Sequence, residues 1–526
     1  MHAIDIIQWT LVGALVAGVV RSFSIYWYRA WFRQGLMWDQ AFHFAVISQL
    51  QSERRYEGVP AFLMKDEQDS CPILFHRFAS LFSRSRVLRM PWLPSLVLYS
   101  LSGGFAAGYV HYLNVTYLDA ATPQFELAFI VLCCLGLPNF VLNGNSVLYI
   151  SLAERLLGRL TVSWYFIGLA AGIALDDGPS FIVAAVAGGL ACVSSRFARQ
   201  AIAFTTPLVS LFLVDVSPLA VLAGAMMVAL ALDRSYFIRG LLQMVEFSRA
   251  YMAYTKRSGW MKPALSRFVH WRKVIGPRVS LWTRLNELQT MEPTRAILHH
   301  TDTIAALVLA ILQPQIVSMA YLAIVLATIT VYLLTSTPAL NHFGEAIRYL
   351  EFNLSLITPF FLAVTVATGS HDVVMPVIAL LVAWSGAFGS WSLAMWRRFE
   401  RHPEVDELRE FIARLQLSKD DTVFPIPFTL GSSIYVRAPD CRVLTYQGAA
   451  VSRKIYAKFC DDVPFLKKNW TGLFRDYQVT YVIAMKYVLQ EMKRLVGWEY
   501  DVSALQKVGE SERYVAWRVP SQGGRE

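Results

Sequence analysis

Charged side chains are scarce in this sequence. Asp, Glu, Lys and Arg make up 16% of the 526 residues, whereas hydrophobic types make up 55%. A soluble globular chain carries about 25% charged residues, and a single soluble core cannot bury this much apolar surface. The composition therefore predicts an integral membrane protein, with lipid as the solvent for most of its apolar side chains.

Acidic residues are fewer than basic ones, 38 against 48, which gives a formal net charge of +10. In a soluble protein this excess would raise the question of nucleic acid. In a membrane protein it favours contact with anionic lipid headgroups or with a phosphate-bearing substrate. We therefore predict a membrane partner and no nucleic-acid partner.

Cysteine is rare, and its six copies lack the spacing of a metal site. Cys133 and Cys134 are adjacent inside an apolar run, which fits neither a disulfide nor a zinc site. Cys441 and Cys460 would pair only if the C-terminal region faced an oxidising compartment.

Apolar runs long enough, or nearly long enough, to cross a bilayer recur along the chain. A membrane-spanning helix needs about 20 apolar residues, and this criterion predicts roughly eleven spans. The N-terminus lacks a small-residue cleavage site, so its run is predicted to be a retained first span rather than a signal peptide. Two pairs, at Thr161/Pro179 and Asp302/Val317, are short enough to be hairpins. The runs begin at Ile6, Leu93, Phe125, Thr161, Pro179, Gln200, Pro218, Asp302, Val317, Leu354 and Val373.

Two long polar segments, about residues 21–92 and 233–301, interrupt the spans and mix charges with aromatic side chains. This mixture is typical of amphipathic helices in the membrane interface. After residue 396 the composition changes to alternating strand-like and helical stretches. The predicted fold is a polytopic α-helical membrane protein. It has about eleven transmembrane helices in a domain over 1–396, interfacial helices in the first large loop, and a small soluble α/β domain over 397–526. The strand-like stretches are 422–428, 433–437, 479–485 and 513–519, and the helical ones include 404–417 and 451–459.

Counting the spans places both long polar segments and the C-terminal domain on one side of the membrane. The short connections on that side carry Arg155, Arg159, Arg196, Arg199 and Arg348, whereas the opposite connections contain acids without Lys or Arg. The positive-inside rule would put the basic side in the cytoplasm. That rule gives little weight to long loops, and two of these loops are long. The five arginines nevertheless lie in short connections, so the span count places these charges in one compartment without saying which one.

The sequence has no internal repeat, no phosphate-binding glycine loop, no GxSxG turn and no Asp-x-Asp triplet. The first polar segment instead opens with Trp38-Asp39-Gln40-Ala41-Phe42-His43. On a helix Asp39 and His43 share a face, and a carboxylate just above a membrane can act as a general base. The alternative is an ordinary charged residue on an interfacial helix.

Further along the same segment, Asp66-Glu67-Gln68-Asp69 precedes Pro72-Ile73-Leu74-Phe75-His76. Carboxylates in such a cluster, together with Asp39, are candidate ligands for a divalent cation such as Mg²⁺ or Mn²⁺. The alternative is a solvated loop, and the absence of Asp-x-Asp makes metal dependence doubtful.

Glu345, Arg348 and Glu351 are three residues apart and share one helical stripe. Charges at the edge of a span need partners or a substrate. One interpretation is an internal ion-paired stripe. The other is that Arg348, with Arg196, grips a lipid phosphate, because guanidinium matches phosphate oxygens bidentately.

The order of these motifs resembles the GT-C superfamily of integral-membrane glycosyltransferases. The resemblance lies in Asp39-x-x-Phe42-His43, in the Pro-x-Leu-Phe-His segment ending at His76, and in the Ser-Ser-Arg-Phe segment at Arg196. It also includes the 343–352 stretch around Arg348. At motif level it covers the first loop and a few short pieces, and in general layout the whole chain. The superfamily includes aminoarabinose transferases, protein O-mannosyltransferases and oligosaccharyltransferase catalytic subunits.

The resemblance implies a glycosyltransferase of the plasma (inner) membrane that uses a polyprenyl-phosphate or polyprenyl-diphosphate sugar as donor. The acceptor would be a lipid or a glycan on the exoplasmic face, and the C-terminal domain would be periplasmic or extracellular. Asp39 and His43 would be catalytic, Arg196 and Arg348 would bind the donor phosphate, and His76 would support the site with Glu345 and Glu351. Two alternatives are a flippase for a lipid-linked sugar, which would favour polar residues near mid-membrane, and a non-catalytic assembly factor with the same fold.

Overall fold

Two compact units make up the computed structural model of the chain. Unit 1 comprises residues 1–28, 92–237 and 262–401, and unit 2 comprises residues 29–91, 238–261 and 402–526. The structure describes residues 2–27, 36, 38–53, 58–64, 71–118, 126, 152, 154–255, 280–281, 284, 292–312, 319–337, 339–340, 343, 345–368, 371–399, 404–446 and 453–520.

Most of the described residues are helical. In chain order the helices are α1 His2–Trp27, α2 Trp38–Glu53, α3 Leu74–Ala79, α4 Arg84–Arg89, α5 Leu93–Leu113, α6 Glu154–Leu175, α7 Gly178–Ser194, α8 Arg196–Leu213, α9 Ser217–Thr255, α10 Glu292–His299, α11 Thr301–Leu312, α12 Met319–Thr335, α13 Ile347–Asn353, α14 Ile357–Thr368, α15 His371–Phe399, α16 Glu404–Leu415, α17 Leu430–Arg437, α18 Arg453–Phe459, α19 Thr471–Tyr477 and α20 Lys486–Val496. The strands are β1 Phe62–Met64, β2 Thr422–Ile426, β3 Arg442–Tyr446, β4 Cys460–Asp462, β5 Phe465–Leu466, β6 Tyr481–Met485, β7 Gln506–Glu510 and β8 Tyr514–Arg518.

The candidate membrane-spanning helices lie in unit 1, except that the last of them ends in the first residues of the 238–261 segment of unit 2. Within the described ranges four helices are long and apolar enough to cross a bilayer, and the bent pair α13–α14 would be a fifth. The count of about eleven is therefore not confirmed. Several predicted spans form shorter helices, such as α7 and α12 with 17 residues each, and the span predicted from Phe125 lies almost wholly outside the described residues. The four spans are Ile4–Ser22, Leu93–Tyr117, Glu154–Leu175 and Ser217–Leu242.

Small residues allow α1 and α5 to pack closely. A Cβ added at Gly103 would lie 2.3 Å from the Cβ of Ala17, and one added at Gly13 would lie 2.4 Å from the Gly103 carbonyl oxygen. Apolar side chains have no hydrophobic reason to leave lipid, so membrane helices associate through close packing of this kind.

The bend between α13 and α14 is 47°, and hydroxyl groups take part in several hydrogen bonds around it. Asn353, at the end of α13, donates to the hydroxyls of Thr205 at 2.8 Å and Thr328 at 3.1 Å. Ser355, in the bend, donates to the Glu351 carbonyl at 2.7 Å. A helix break inside apolar surroundings is tolerated where such groups replace the lost backbone bonds.

Unit 2 is built on a six-stranded sheet with the order β1-β3-β2-β6-β8-β7. The first four strands in this order pair in parallel, and β8 and β7 complete the sheet in antiparallel pairing. Parallel neighbours require a crossover connection, and α17 supplies it between β2 and β3. The stretch 433–437, predicted as a strand, is therefore part of this helix. Cys441 and Cys460 are both free and buried, so the conditional disulfide is not formed.

The first polar segment contributes an edge strand to this sheet. Phe62 of β1 pairs with Val443 of β3, and Met64 and Ala250 are buried in the same apolar cluster as the C-terminal strands. Sequence analysis grouped the first loop with residues 1–396. The structure instead places residues 29–91 in the compact unit of the C-terminal segment, because backbone pairing and apolar contacts join them.

This pairing constrains membrane topology. A hydrogen-bonded sheet cannot continue across a bilayer, so Phe62 and Val443 lie on one side and the chain between them crosses the membrane an even number of times. The packing of Ala250 into the same cluster adds the second polar segment to that side. The span count predicted the same grouping. Which compartment this side faces stays a prediction.

Candidate active site

Helix α2 carries Asp39 in its first turn, and contacts within unit 2 fix this helix against the sheet. The Phe42 ring stacks on Phe62 of β1 at 6.5 Å and on Tyr446 of β3 at 6.3 Å. Arg437 of α17 donates to the Leu36 carbonyl at 3.0 Å, just before the helix begins. Asp39 therefore sits on an element held by several contacts, as a catalytic group requires.

The exposed carboxylate of Asp39 lines a small open pocket. The first loop supplies Asp39 and Phe42, and the C-terminal segment supplies the other lining residues. These lie around the beginning of α17 and at the carboxyl end of β3, where open parallel sheets commonly bind ligands. They are Thr429, Ser432, Thr445 and Tyr446.

His43 and His76 form a buried hydrogen-bonded pair, with 2.8 Å between His43 Nδ1 and His76 Nε2. His76 Nδ1 lies 2.9 Å from the Pro72 carbonyl oxygen, which can only accept, so this nitrogen carries the proton. Burial lowers the pKa of His76 well below 6.5, with a further contribution from His43, so the ring is neutral. Its Nε2 is then the acceptor, and His43 donates from Nδ1. In its neutral form His43 therefore has an unprotonated Nε2.

Acid is expected to destabilise unit 2 through this pair. Because the pKa of His76 is lower in the folded protein than its ordinary value of about 6.5, the unfolded chain binds the proton more readily. The contribution of neutral His76 is complete above about pH 6.5 and is lost as the pH falls towards the lowered pKa. Thermal unfolding of the protein in detergent, compared between about pH 8 and about pH 5, measures the loss.

His76→Gln is the control for this prediction. Glutamine has an acceptor oxygen but does not titrate in this range, so the variant should show a flatter dependence of Tm on pH than the wild type. Equal slopes in the two proteins would show that His76 does not set the acid response.

The described residues of the pocket do not supply enough ligands for a divalent-cation site. Asp39 is its one carboxylate among the described lining residues, and the other predicted ligands, Asp66 and Asp69, lie outside the described residues. Hard cations are usually held by several oxygen ligands. We therefore derive no chemical step through a metal, and the cation stays a prediction.

The predicted phosphate-binding residues belong to unit 1. Arg348 is buried and contacts two carboxylates: Glu345 at 3.0 Å and Glu351 at 3.2 Å. Glu351 is 1% exposed, whereas Glu345 is 56% exposed. The ion-paired stripe is thus present in the structure, and an incoming phosphate would have to replace Glu345. Arg196 begins α8, with its guanidinium 5.4 Å from the centre of the Phe197 ring.

Sequence analysis missed the four pocket residues of the C-terminal segment. Thr429 and Ser432 flank Leu430-Gly431, directly after a predicted strand, and a small-residue turn between a strand and a helix is a known ligand-binding signal. Because 433–437 was interpreted as a strand, this turn was not recognised as the connection between a strand and a helix. Thr445 and Tyr446 carry no such signal, because only the pairing of β1 with β3 brings them to Asp39.

No protein-family model matches the chain, and no curated protein matches it in sequence. Among solved structures, ArnT from Cupriavidus metallidurans bound to undecaprenyl phosphate is similar over 99% of both chains, with 12% identity and a TM-score of 0.45. The apo state of the same protein matches 97% of this chain and 98% of that chain, with 12% identity and a TM-score of 0.38. With TM-scores below 0.5, these structures assign no role to any residue of this chain.

Proposed function

We propose that this protein is a GT-C-type glycosyltransferase of the plasma membrane. It would move a sugar from a polyprenyl-phosphate or polyprenyl-diphosphate donor to an acceptor on the exoplasmic face. The observation that carries the proposal is the position of Asp39. Its exposed carboxylate lines an open pocket on a rigidly held helix, beside hydroxyl groups and aromatic rings that suit a hydroxylated acceptor. The motifs around Asp39, His43 and His76 support the same class of enzyme.

In the proposed reaction Asp39 is the general base. It accepts the proton of an acceptor hydroxyl while that oxygen forms a bond to the anomeric carbon of the donor sugar. The bond between the anomeric carbon and the phosphate oxygen breaks, and the lipid phosphate leaves with the electron pair. His43 and His76 would position α2 through their hydrogen bond, one turn beyond Asp39.

Arg196 and Arg348 are proposed to offset the charge of the leaving lipid phosphate, as preorganised cations do in transferases. Arg348 has carboxylate partners already, so its role requires an exchange. Glu345 is mostly exposed and can move into solvent, whereas Glu351 is buried and stays paired. Arg348 would then keep one carboxylate and gain the phosphate.

Sealed vesicles test the activity and its sidedness together. The purified protein is reconstituted with a radiolabelled polyprenyl-phosphate sugar, and its orientation is sorted by protease access to the C-terminal segment. A membrane-impermeant hydroxylated acceptor is then added outside. We expect transfer only in vesicles that expose the C-terminal segment, because that segment shares a side with Asp39.

Two other outcomes would overturn the proposal. Movement of the labelled lipid between leaflets without transfer would indicate the flippase alternative. Neither transfer nor movement, with a folded protein and a range of acceptors, would indicate a non-catalytic assembly factor.

A further inference from the structure

The short helices α3 and α4, with the turn between them, present a basic surface in unit 2. We propose that this surface docks into the headgroup layer of the membrane and binds the phosphate-bearing headgroups of anionic glycerophospholipids. Its two leucines enter the apolar region beneath the headgroups. The inference does not depend on the proposed transfer activity. The basic surface consists of six exposed residues: Arg77, Leu81, Arg84, Arg86, Leu88 and Arg89.

Contacts with α2 hold this segment in place. Both α3 and α4 pack against that helix, and Phe75 and Val87 are completely buried. The Gln51 side chain of α2 donates to the Phe82 carbonyl at 2.5 Å, in the turn between the two short helices. The six exposed side chains therefore project from a segment whose other side is fixed.

The positive charge of the basic surface is not compensated by carboxylates. The stretch 77–89 includes four arginines and no Asp or Glu. Over the described residues none of these four guanidinium groups forms an ion pair. Other exposed arginines of unit 2 do so: Arg409 pairs with Asp406, and Arg494 pairs with Glu491. A cluster of unpaired arginines produces a positive potential that attracts an anionic surface.

Exposed leucines lie among these arginines. Leu81 is 80% exposed and Leu88 is 47% exposed. Interfacial segments place such apolar side chains at the boundary between headgroups and acyl chains. An arginine beside them can lay its methylene stem along the apolar region while its guanidinium stays among the phosphates. A nucleic acid would use the arginines but not the leucines, so the mixture favours a bilayer.

The basic surface is also close to a candidate span along the chain. Arg89 precedes Leu93, the first residue of that span, by four residues, and an extended chain covers at most about 14 Å over this distance. The polar layer on each side of the hydrocarbon core is about 5–8 Å thick. Arg89 is therefore within reach of the headgroups, and guanidinium matches their phosphate oxygens bidentately.

The test is hydrogen exchange of the purified full-length protein in nanodiscs of phosphatidylcholine, with phosphatidylglycerol added in increasing fraction. We expect phosphatidylglycerol to protect the amides of residues 77–90. The variant Arg77→Gln/Arg86→Gln/Arg89→Gln should lose affinity on the order of 100-fold, because each arginine near the surface contributes about fivefold. The lipid fraction that saturates the wild type should leave this variant unprotected. In the wild type, about 1 M salt should remove the difference between the two lipids, and this measurement requires no variant.

The matched control is Arg409→Gln/Arg475→Gln/Arg494→Gln. It removes the same number of charges from exposed arginines of the same unit that have carboxylate neighbours, and residues 77–90 should be protected as in the wild type. Leu81→Asn/Leu88→Asn keeps the arginines and should reduce protection in both lipids, because it removes the inserted side chains. Thermal unfolding of each variant identifies any loss that results from misfolding.

Three results would overturn the inference. The first is equal protection of residues 77–90 by the two lipids in the wild type at low salt. The second is an equal loss of protection in the two triple arginine variants. The third is protection by soluble polyglutamate but not by phosphatidylglycerol, which would assign the basic surface to an acidic protein partner. None of these measurements requires sugar transfer, so failure of the proposed function would leave the inference standing.

Discussion

Replacing Asp39 with asparagine is expected to lower sugar transfer by about 10²–10⁴-fold, the usual contribution of a general base. The change keeps the size and hydrogen-bonding capacity of the side chain but removes its charge and basicity. Because Asp39 is exposed on the pocket side of α2, stability should change by no more than about 0.5 kcal/mol. The measurements are transfer of labelled sugar from a polyprenyl-phosphate donor and thermal unfolding in the same detergent.

Asp420→Asn is the matched control for Asp39. Asp420 is an exposed carboxylate of the same unit that does not line the pocket, and its loss should leave transfer unchanged. Full transfer by the Asp39→Asn protein would remove Asp39 from the mechanism. A parallel loss of activity in both variants would point to a general effect of negative charge on this unit.

Arg348→Ala is expected to destabilise the protein by about 3–5 kcal/mol, since it leaves the buried carboxylate of Glu351 without this cation. Glu345 contributes little to this loss, because it is mostly exposed and exposed pairs are worth about 0–1 kcal/mol. Thermal unfolding of the purified variant measures the effect. The double variant Arg348→Ala/Glu351→Gln should recover part of the stability by removing the uncompensated charge.

Arg348→Lys distinguishes the two interpretations of this stripe. Lysine keeps the positive charge near Glu351 but cannot bind a phosphate bidentately. If Arg348 binds the donor phosphate, this variant should retain most of its stability and show a raised KM for the donor. If the Arg348→Lys protein is stable and its KM for the donor equals that of the wild type, Arg348 has only a structural role in this stripe.

Local patterns predicted many elements of the C-terminal segment. The stretches 422–428, 479–485 and 513–519 contain β2, β6 and β8, and the predicted helix 404–417 contains α16. The strand predicted at 433–437 was wrong, because a short apolar run fits a strand and a buried helix equally well. The strand β1 has three residues, and its partner lies far along the chain, so no local pattern could predict the pairing.

The candidate site, like the fold, could be predicted only in part from the sequence. The spacing of Asp39 and His43 on one helix indicated a candidate site. The hydrogen bond between His43 and His76 depends on how α3 packs against α2. The sequence motifs indicated both residues as candidates but did not predict that they are in contact. The Thr445 and Tyr446 wall depends on the sheet, and the electrostatic state of Arg348 depends on burial of Glu351. Sequence patterns thus indicated candidate residues, whereas their partners required the fold.

The pairing of β1 with β3 also determines when unit 2 can be completed during synthesis. Residues 58–64 leave the ribosome long before residues 442–446, and translation at about 5–20 residues per second leaves β1 without its partner while the intervening helices insert. During this interval the buried side of Phe62 and the backbone edge of β1 are exposed, as in a folding intermediate that chaperones bind. A chain that stops before β3 can insert its helices but cannot close unit 2, so a cell could recognise the truncated product by its unpaired strand.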